Sequence, residues 1–204
     1  MNFETPFTYI HRAGSDSKRP LLLLHGTGGN EHDLLGLADA VAPERSVLSP
    51  RGRVLENGMN RYFRRFAEGL LDEDDIRVRA AELETFISGA TRHYGLAAPI
   101  ALGFSNGANI AAALLTAYPD LLSGAVLLRA MAPFKAMPKF TLPGTPVLLI
   151  SGAQDQMISP ADAKRLAETF TAAGARLTQE ILPTGHGLTQ NDLSHITRFL
   201  ADKE

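Results

Sequence analysis

The chain has 204 residues, 45% hydrophobic and 21% charged, with a formal net charge of −2 and no cysteine. That composition supports one domain with a sizeable core, and it excludes disulfides, thiolate metal sites and cysteine nucleophiles. Lys and Arg are scattered and leave no basic footprint for nucleic acid, no apolar run approaches membrane-spanning length, and the opening MNFETPFTYIHRAG lacks the charged-then-apolar pattern of a signal peptide. A cytoplasmic protein without membrane insertion is expected.

In chain order, a strand is predicted over 7–11 and a second over the leucine run at 21–24, followed by the glycine-rich turn HGTGGN. A third strand is predicted over 46–49. The segment 50–71, PRGRVLENGMNRYFRRFAEGLL, has no clean periodicity. Its arginines Arg61, Arg64 and Arg65 read as a solvated face or as salt-bridge partners rather than an anion site, because charge runs are usually solvated. A helix is predicted over 74–94, where Ala80, Leu83, Ile87, Ala90 and Tyr94 recur at three- and four-residue spacing behind a carboxylate-rich start. A strand over 100–104 runs directly into a helix over 106–118, and a strand over 125–128 leads into a second irregular segment, 129–142. Strand 147–150, helix 160–173, strand 178–182 and helix 189–201 complete the alternation. Continuous apolar strands alternating with helices predict an α/β fold, a mostly parallel sheet of about seven strands with helices on both faces and no separate cap domain.

The sharpest feature is Gly103-Phe104-Ser105-Asn106-Gly107, a G-x-S-x-G pattern with a strand before it and a helix after. In that setting the glycines leave room for neighbouring elements and the serine hydroxyl stands exposed above the sheet. A serine hydroxyl needs a base, and in this architecture the partners follow it in the order acid, then histidine. Only His186 and His195 follow Ser105. His195 shares the polar side of the last helix with Asp192 and Arg198, whereas His186 sits in the glycine-flanked loop PTGHGL after a strand, so His186 is the expected base. Of the aspartates in between, Asp120 ends the helix at the far side of the sheet and Asp162 fits a helix first turn. Asp155, just after PVLLISG, emerges beside Ser105 and His186 and is the expected orienter. The oxyanion donors are expected to be the backbone N–H groups of Asn106 and Thr27. His25 is expected to order the HGTGGN turn. The turn lacks the Gly-Lys-Ser/Thr of a phosphate loop.

These motifs resemble the α/β-hydrolase superfamily, and within it the phospholipase/carboxylesterase family that includes acyl-protein thioesterases. The resemblance runs from LLLLHGTGGNEHDLL through SPRGRVLENGMNRYFRR and GFSNGA to GAQDQMIS and GHGL. The combination of HGTGGN, PRG and ENGMNRYFRR is similar to a bacterial carboxylesterase branch associated with breakdown of hydroquinone-type aromatics. It implies Ser105, Asp155 and His186 as a catalytic triad and, frequently, a homodimer. Acyl-protein thioesterases usually carry Gln-Gly after the nucleophile and an HGLGD-like loop; this chain has Asn106-Gly107 and HGTGG, which points away from long-chain lipid or palmitoyl-protein substrates.

The expected activity is therefore a serine carboxylesterase acting on small-molecule esters with short- to medium-chain or aryl groups, with no metal and no organic cofactor. The competing readings are a lysophospholipase or acyl-protein thioesterase, and a C–C bond hydrolase on the same three residues. A non-catalytic binding protein would be expected to lack one of them. Met59, Tyr62, Phe63, Met131, Phe134 and Met137, in the two irregular segments, are the candidates to wall an apolar substrate pocket; the equal alternative is that these segments are surface loops tucked onto the core by their aromatics.

Overall fold

The computed structural model describes residues 3–16 and 18–201. The opening stretch read for a leader thus falls outside the described residues at positions 1 and 2. In chain order the elements are β1 (Tyr9–Arg12), β2 (Leu21–Leu24), α1 (Leu35–Val41), β3 (Val47–Pro50), β4 (Val54–Glu56), β5 (Met59–Arg61), β6 (Arg65–Ala67), β7 (Leu70–Leu71), α2 (Glu73–Tyr94), β8 (Ile100–Phe104), α3 (Asn106–Ala117), β9 (Gly124–Leu128), β10 (Pro146–Gly152), α4 (Pro160–Ala172), β11 (Arg176–Leu182) and α5 (Gln190–Ala201).

Seven of the strands form one sheet in the order β1-β3-β2-β8-β9-β10-β11. Only β1 runs antiparallel, against β3; the other pairings are parallel. The unbroken apolar runs have a direct cause, since side chains alternate across a strand and both faces here are covered. Leu22 and Leu24 join Ala101, Leu127 and Leu149 in one core layer, with Leu83 and Ile87 of α2, α3 and Phe170 of α4. Leu21 and Leu23 join Ile100, Leu102, Val126 and Ile150 in the other, with Ala38 of α1 and Ile196 of α5. Each leucine so buried contributes about 1.5–3 kcal/mol relative to exposure.

The helices carry their own boundary signals. The Asp72 carboxylate accepts the Asp75 N–H at the start of α2, and Gly95, at φ 65°, ends it in the left-handed conformation. At α4 the capping residue Ser159 accepts the Asp162 N–H with its hydroxyl and donates that hydroxyl to the Asp162 carboxylate, which accounts for Asp162 in the first turn behind Pro160. Residues 106–116 of α3 are all buried, which is why that helix is apolar apart from Asn106, Asn109 and Thr116. Among the described residues no helix is long and apolar enough to cross a membrane.

Several expectations need correction. The first strand begins at Tyr9, because Phe7 turns into the core instead of pairing with β3. The seven-residue helix α1 was not expected; it is too short for its period to stand out. Segment 50–71 is two hairpins, β4–β5 and β6–β7. The first turns at Asn57-Gly58, both at positive φ, the residue pair such a tight turn favours. Arg61, Arg64 and Arg65 form salt bridges, as one of the two expected arrangements has it, but Arg61 lies on no solvated face; it is 3% exposed. Asp192 is not on the polar side of α5 with His195; it is fully buried against Arg129.

Candidate active site

β8 delivers Ser105 to the carboxyl edge of the sheet at φ 52° and ψ −113°, a backbone conformation that L residues seldom adopt. It is held there from both sides: the Ser105 N–H donates to the Leu128 carbonyl at 2.8 Å, and its own carbonyl accepts the Asn109 N–H at 3.0 Å. The glycines make this corner possible. A Cβ on Gly107 would run into the Leu24 and His25 carbonyls, and one on Gly103 would meet the Gly107 carbonyl at 2.6 Å.

Ser105, His186 and Asp155 come together in one hydrogen-bonded row. His186 Nε2 lies 3.0 Å from Ser105 Oγ, and Nδ1 lies 2.8 Å from Asp155 Oδ2. A carboxylate only accepts, so the Nδ1–H donates to Asp155 and Nε2 is left to accept from the serine hydroxyl. The other Asp155 oxygen accepts the Met157 N–H at 2.8 Å and the Ile158 N–H at 3.0 Å. Burial would push this carboxyl up, but the Ile158 N–H, the His186 ring and the Met157 N–H together hold it below the usual carboxylate range. The arrangement can therefore remove a proton from Ser105 and stabilise the imidazolium that results.

HGTGGN follows β2 and is laced to its neighbours. His25 Nδ1 donates to the Gly26 carbonyl at 2.6 Å while Nε2 accepts the Gly52 N–H at 2.9 Å, and the ring packs on Tyr62 at 4.8 Å. Burial is the largest influence on this imidazole and lowers its pKa. The Gly28 N–H donates to the Asn60 carbonyl, and the Asn60 amide donates to that of Gly29, so the β4–β5 hairpin holds the turn. Glu31 and Arg51 form two bonds of 2.6 and 2.7 Å between the turn and the PRG segment, and the guanidinium lowers the Glu31 pKa. The Thr27 and Asn106 N–H groups have no protein acceptor among the described residues.

The cleft at Ser105 is lined by Thr27, Arg61, Arg65, Glu68, Leu71, Asn106, Asn109, Met131, Met157 and Ile158. Of the six candidate wall residues, only Met131 is there. The Tyr62 backbone N–H donates to Asn106 Oδ1 at 2.7 Å and its hydroxyl to the Pro50 carbonyl at 2.7 Å, which fixes the ring in the core. Burial pushes its phenol pKa up. Phe63 is buried with Arg61 over its ring, and Phe134 is buried under Arg77. Met137 packs on the core, and Met59 stands 38% exposed beside Gly28.

Sequence reasoning missed the polar wall. Arg61, Arg65 and Glu68 reach the cleft from hairpins whose folding has no period to read, with Glu56 bridging the two arginines at 3.2 and 2.9 Å. Asn109 had a usable signal, since it stands one helical turn after Ser105 on the same side of α3. Among the described residues no group of His, Asp or Glu is arranged to hold a metal ion.

The phospholipase/carboxylesterase family profile matches residues 7–203. MhqD of Bacillus subtilis (strain 168), a hydrolase by name, is 42% identical over 186 residues, 90% of this chain and 92% of its own. The carboxylesterase of Bacillus cereus superposes with a TM-score of 0.94 at 42% identity, covering 98% of this chain and 95% of that one. A carboxylesterase from Mesorhizobium loti gives 0.92 at 31% identity, over 97% and 96%.

Proposed function

The chain belongs to the phospholipase/carboxylesterase family and is a hydrolase, and we propose that it cleaves carboxylic esters through an acyl-enzyme on Ser105. The observation that carries this reading is the unbroken row Ser105 Oγ, His186 Nε2, His186 Nδ1 and Asp155 Oδ2, with links of 3.0 and 2.8 Å. Ser105 Oγ adds to the ester carbonyl as its proton passes to His186 Nε2, and the carbonyl oxygen becomes an oxyanion. The Thr27 and Asn106 N–H groups are its donors. Collapse breaks the bond to the alcohol oxygen, which takes the proton from His186. Water then adds to the acyl carbon, giving a proton to His186, and the second collapse returns that proton to Ser105 and releases the carboxylic acid. Asp155 keeps the imidazole in the required tautomer throughout.

The favoured esters carry compact acyl or aryl groups. Five of the twelve lining residues are charged or amide side chains, so little continuous apolar surface is offered to a long chain. Following the family resemblance, we propose a homodimer.

A fluorophosphonate label combined with p-nitrophenyl esters from acetate to palmitate tests the reading. Covalent modification at Ser105 together with turnover of short esters is expected. Labelling without ester turnover would move the assignment to C–C bond hydrolysis, and neither would remove the enzymatic reading. His186→Ala should abolish turnover, whereas His195→Ala should leave kcat within about twofold, because His195 is tied to Glu180 and Arg198 at the helix surface. The size-exclusion volume tests the dimer.

A further inference from the structure

We infer that Arg129 is a positioning residue for His186, gripping the backbone on both sides of the base. This rests on His186 acting as that base. Gly185 and Gly187 flank His186, so the loop has no side chain on either side of the imidazole to anchor it. The imidazole can keep its 3.0 Å approach to Ser105 only if the backbone of 185–187 is fixed.

Arg129 supplies that fixation. It follows the last residue of β9, is 0% exposed, has φ 55°, and its own N–H donates to the Ile150 carbonyl at 2.9 Å. Its Nε donates to the Gly185 carbonyl at 3.1 Å and its Nη2 to the Gly187 carbonyl at 2.9 Å. The remaining donors go to Asp192 Oδ1 at 2.8 Å, Asp192 Oδ2 at 3.0 Å and the Ile150 carbonyl at 3.4 Å. All five guanidinium hydrogens are thus used. Asp192 Oδ2 in turn accepts the Thr189 N–H at 2.7 Å and the Thr189 hydroxyl at 2.9 Å, which ties the start of α5 into the same unit.

Stability alone is a poor reason for this pair. A fully buried ion pair is often no more stabilising than apolar side chains of similar volume, because both charges lose their water. What apolar side chains could not do is hold two carbonyls either side of the base at fixed distances from the end of β9. A planar fork can, and a lysine ammonium, a single point on a flexible stem, cannot. The contribution therefore lies in catalytic geometry, where displacement by about 1 Å can cost 10²-fold in rate.

The test uses Arg129→Lys, Arg129→Met and the double variant Arg129→Met/Asp192→Leu, the last included because a lone buried carboxylate can prevent folding. Each is measured as kcat per phosphonate-titrated site, alongside KM for p-nitrophenyl butyrate and the thermal midpoint. Positioning predicts that kcat per site falls by at least about 30-fold in the double variant and in Arg129→Lys, with KM within about threefold. A scaffold role would lower the titratable fraction or the midpoint and leave kcat per site unchanged. Values within twofold of wild type in the folded double variant, or full kcat in Arg129→Lys, would overturn the inference. Failure of the wild-type protein to label at Ser105 would instead refute the proposed function.

Discussion

The Nη1 of Arg61 donates to Thr27 Oγ1 at 2.5 Å, joining the end of the β4–β5 hairpin to the turn after β2. The Arg61 Nε is also bound to the Phe63 carbonyl at 3.1 Å, so the guanidinium has little freedom to leave that hydroxyl. If the Thr27 N–H is an oxyanion donor, its aim depends on this link.

Arg61→Met should therefore lower kcat by about 10-fold, and Thr27→Val, which keeps the N–H but loses the hydroxyl, by a smaller factor. Complete loss of one such donor costs about 10² to 10³ elsewhere, and a misaligned donor should cost less. Steady-state kinetics on p-nitrophenyl butyrate would check this. A change confined to KM would show that Arg61 acts on substrate binding and not on the turn.

Ser105→Ala should remove about 10⁴ to 10⁶ of kcat with the fold intact. The backbone at φ 52° and ψ −113° makes a further comparison informative. Such a conformation costs a non-glycine residue about 1–3 kcal/mol, so Ser105→Gly should be more stable than Ser105→Ala by about 1 kcal/mol. Urea unfolding of the two inactive variants measures the difference directly, and an alanine variant at least as stable as the glycine one would mean the corner is unstrained.

Acid should destabilise the fold through Glu31 and Asp155. Both carboxyls sit below their usual range in the folded protein. Their stabilisation is then fully present above the unfolded pKa of about 4 and is lost as pH falls through the lower folded values. Unfolding free energy measured from pH 7 to pH 3 should decline at the acid end, and Glu31→Gln should make that decline shallower. Parallel curves for the two proteins would show that the Glu31–Arg51 pair does not couple to folding.

Acyl length should matter in a particular way. Each added methylene gains up to about 0.8 kcal/mol only while apolar wall remains to receive it. With Arg61, Arg65 and Glu68 in the cleft, acetate-to-hexanoate esters should exceed palmitate by at least about tenfold in kcat/KM, a difference of about 1.4 kcal/mol in transition-state binding. A steady rise through palmitate would favour a lysophospholipase or thioesterase activity.

Where the sequence was legible, a local constraint left a local trace. Leu21–Leu24 reads as a strand because every residue in it is buried, and Gly103 and Gly107 mark the corner because nothing larger fits there. Asp155 and His186 could be picked out because each follows a strand that ends at the edge where Ser105 stands. Illegibility came from partners distant in the chain. Tyr62 looks as suited to a pocket as to a core until Asn106 binds its N–H from 44 positions away. Asp192 has a surface position by helical period, and only Arg129, 63 positions earlier, draws it inside. Arg61 reads as one of three solvated or salt-bridged arginines, and the sequence does not show that Thr27, Glu56 and Phe63 enclose it.

The short strands β4 to β7 lie in one continuous stretch between β3 and α2, and from it come Arg61, Arg65, Glu68 and Leu71 of the cleft wall. Ser105, Asp155 and His186 come from the ends of β8, β10 and β11, none of which this stretch pairs with. In genetic terms the codons for 54–71 are a cassette apart from those of the three reacting groups. A double crossover that brackets them exchanges four residues of the cleft wall, and only those inserts that still bind Thr27, Gly28 and Asn106 keep the turn after β2 in place, so descendants of one ancestral gene can diverge in diet along the few paths that spare the same chemistry.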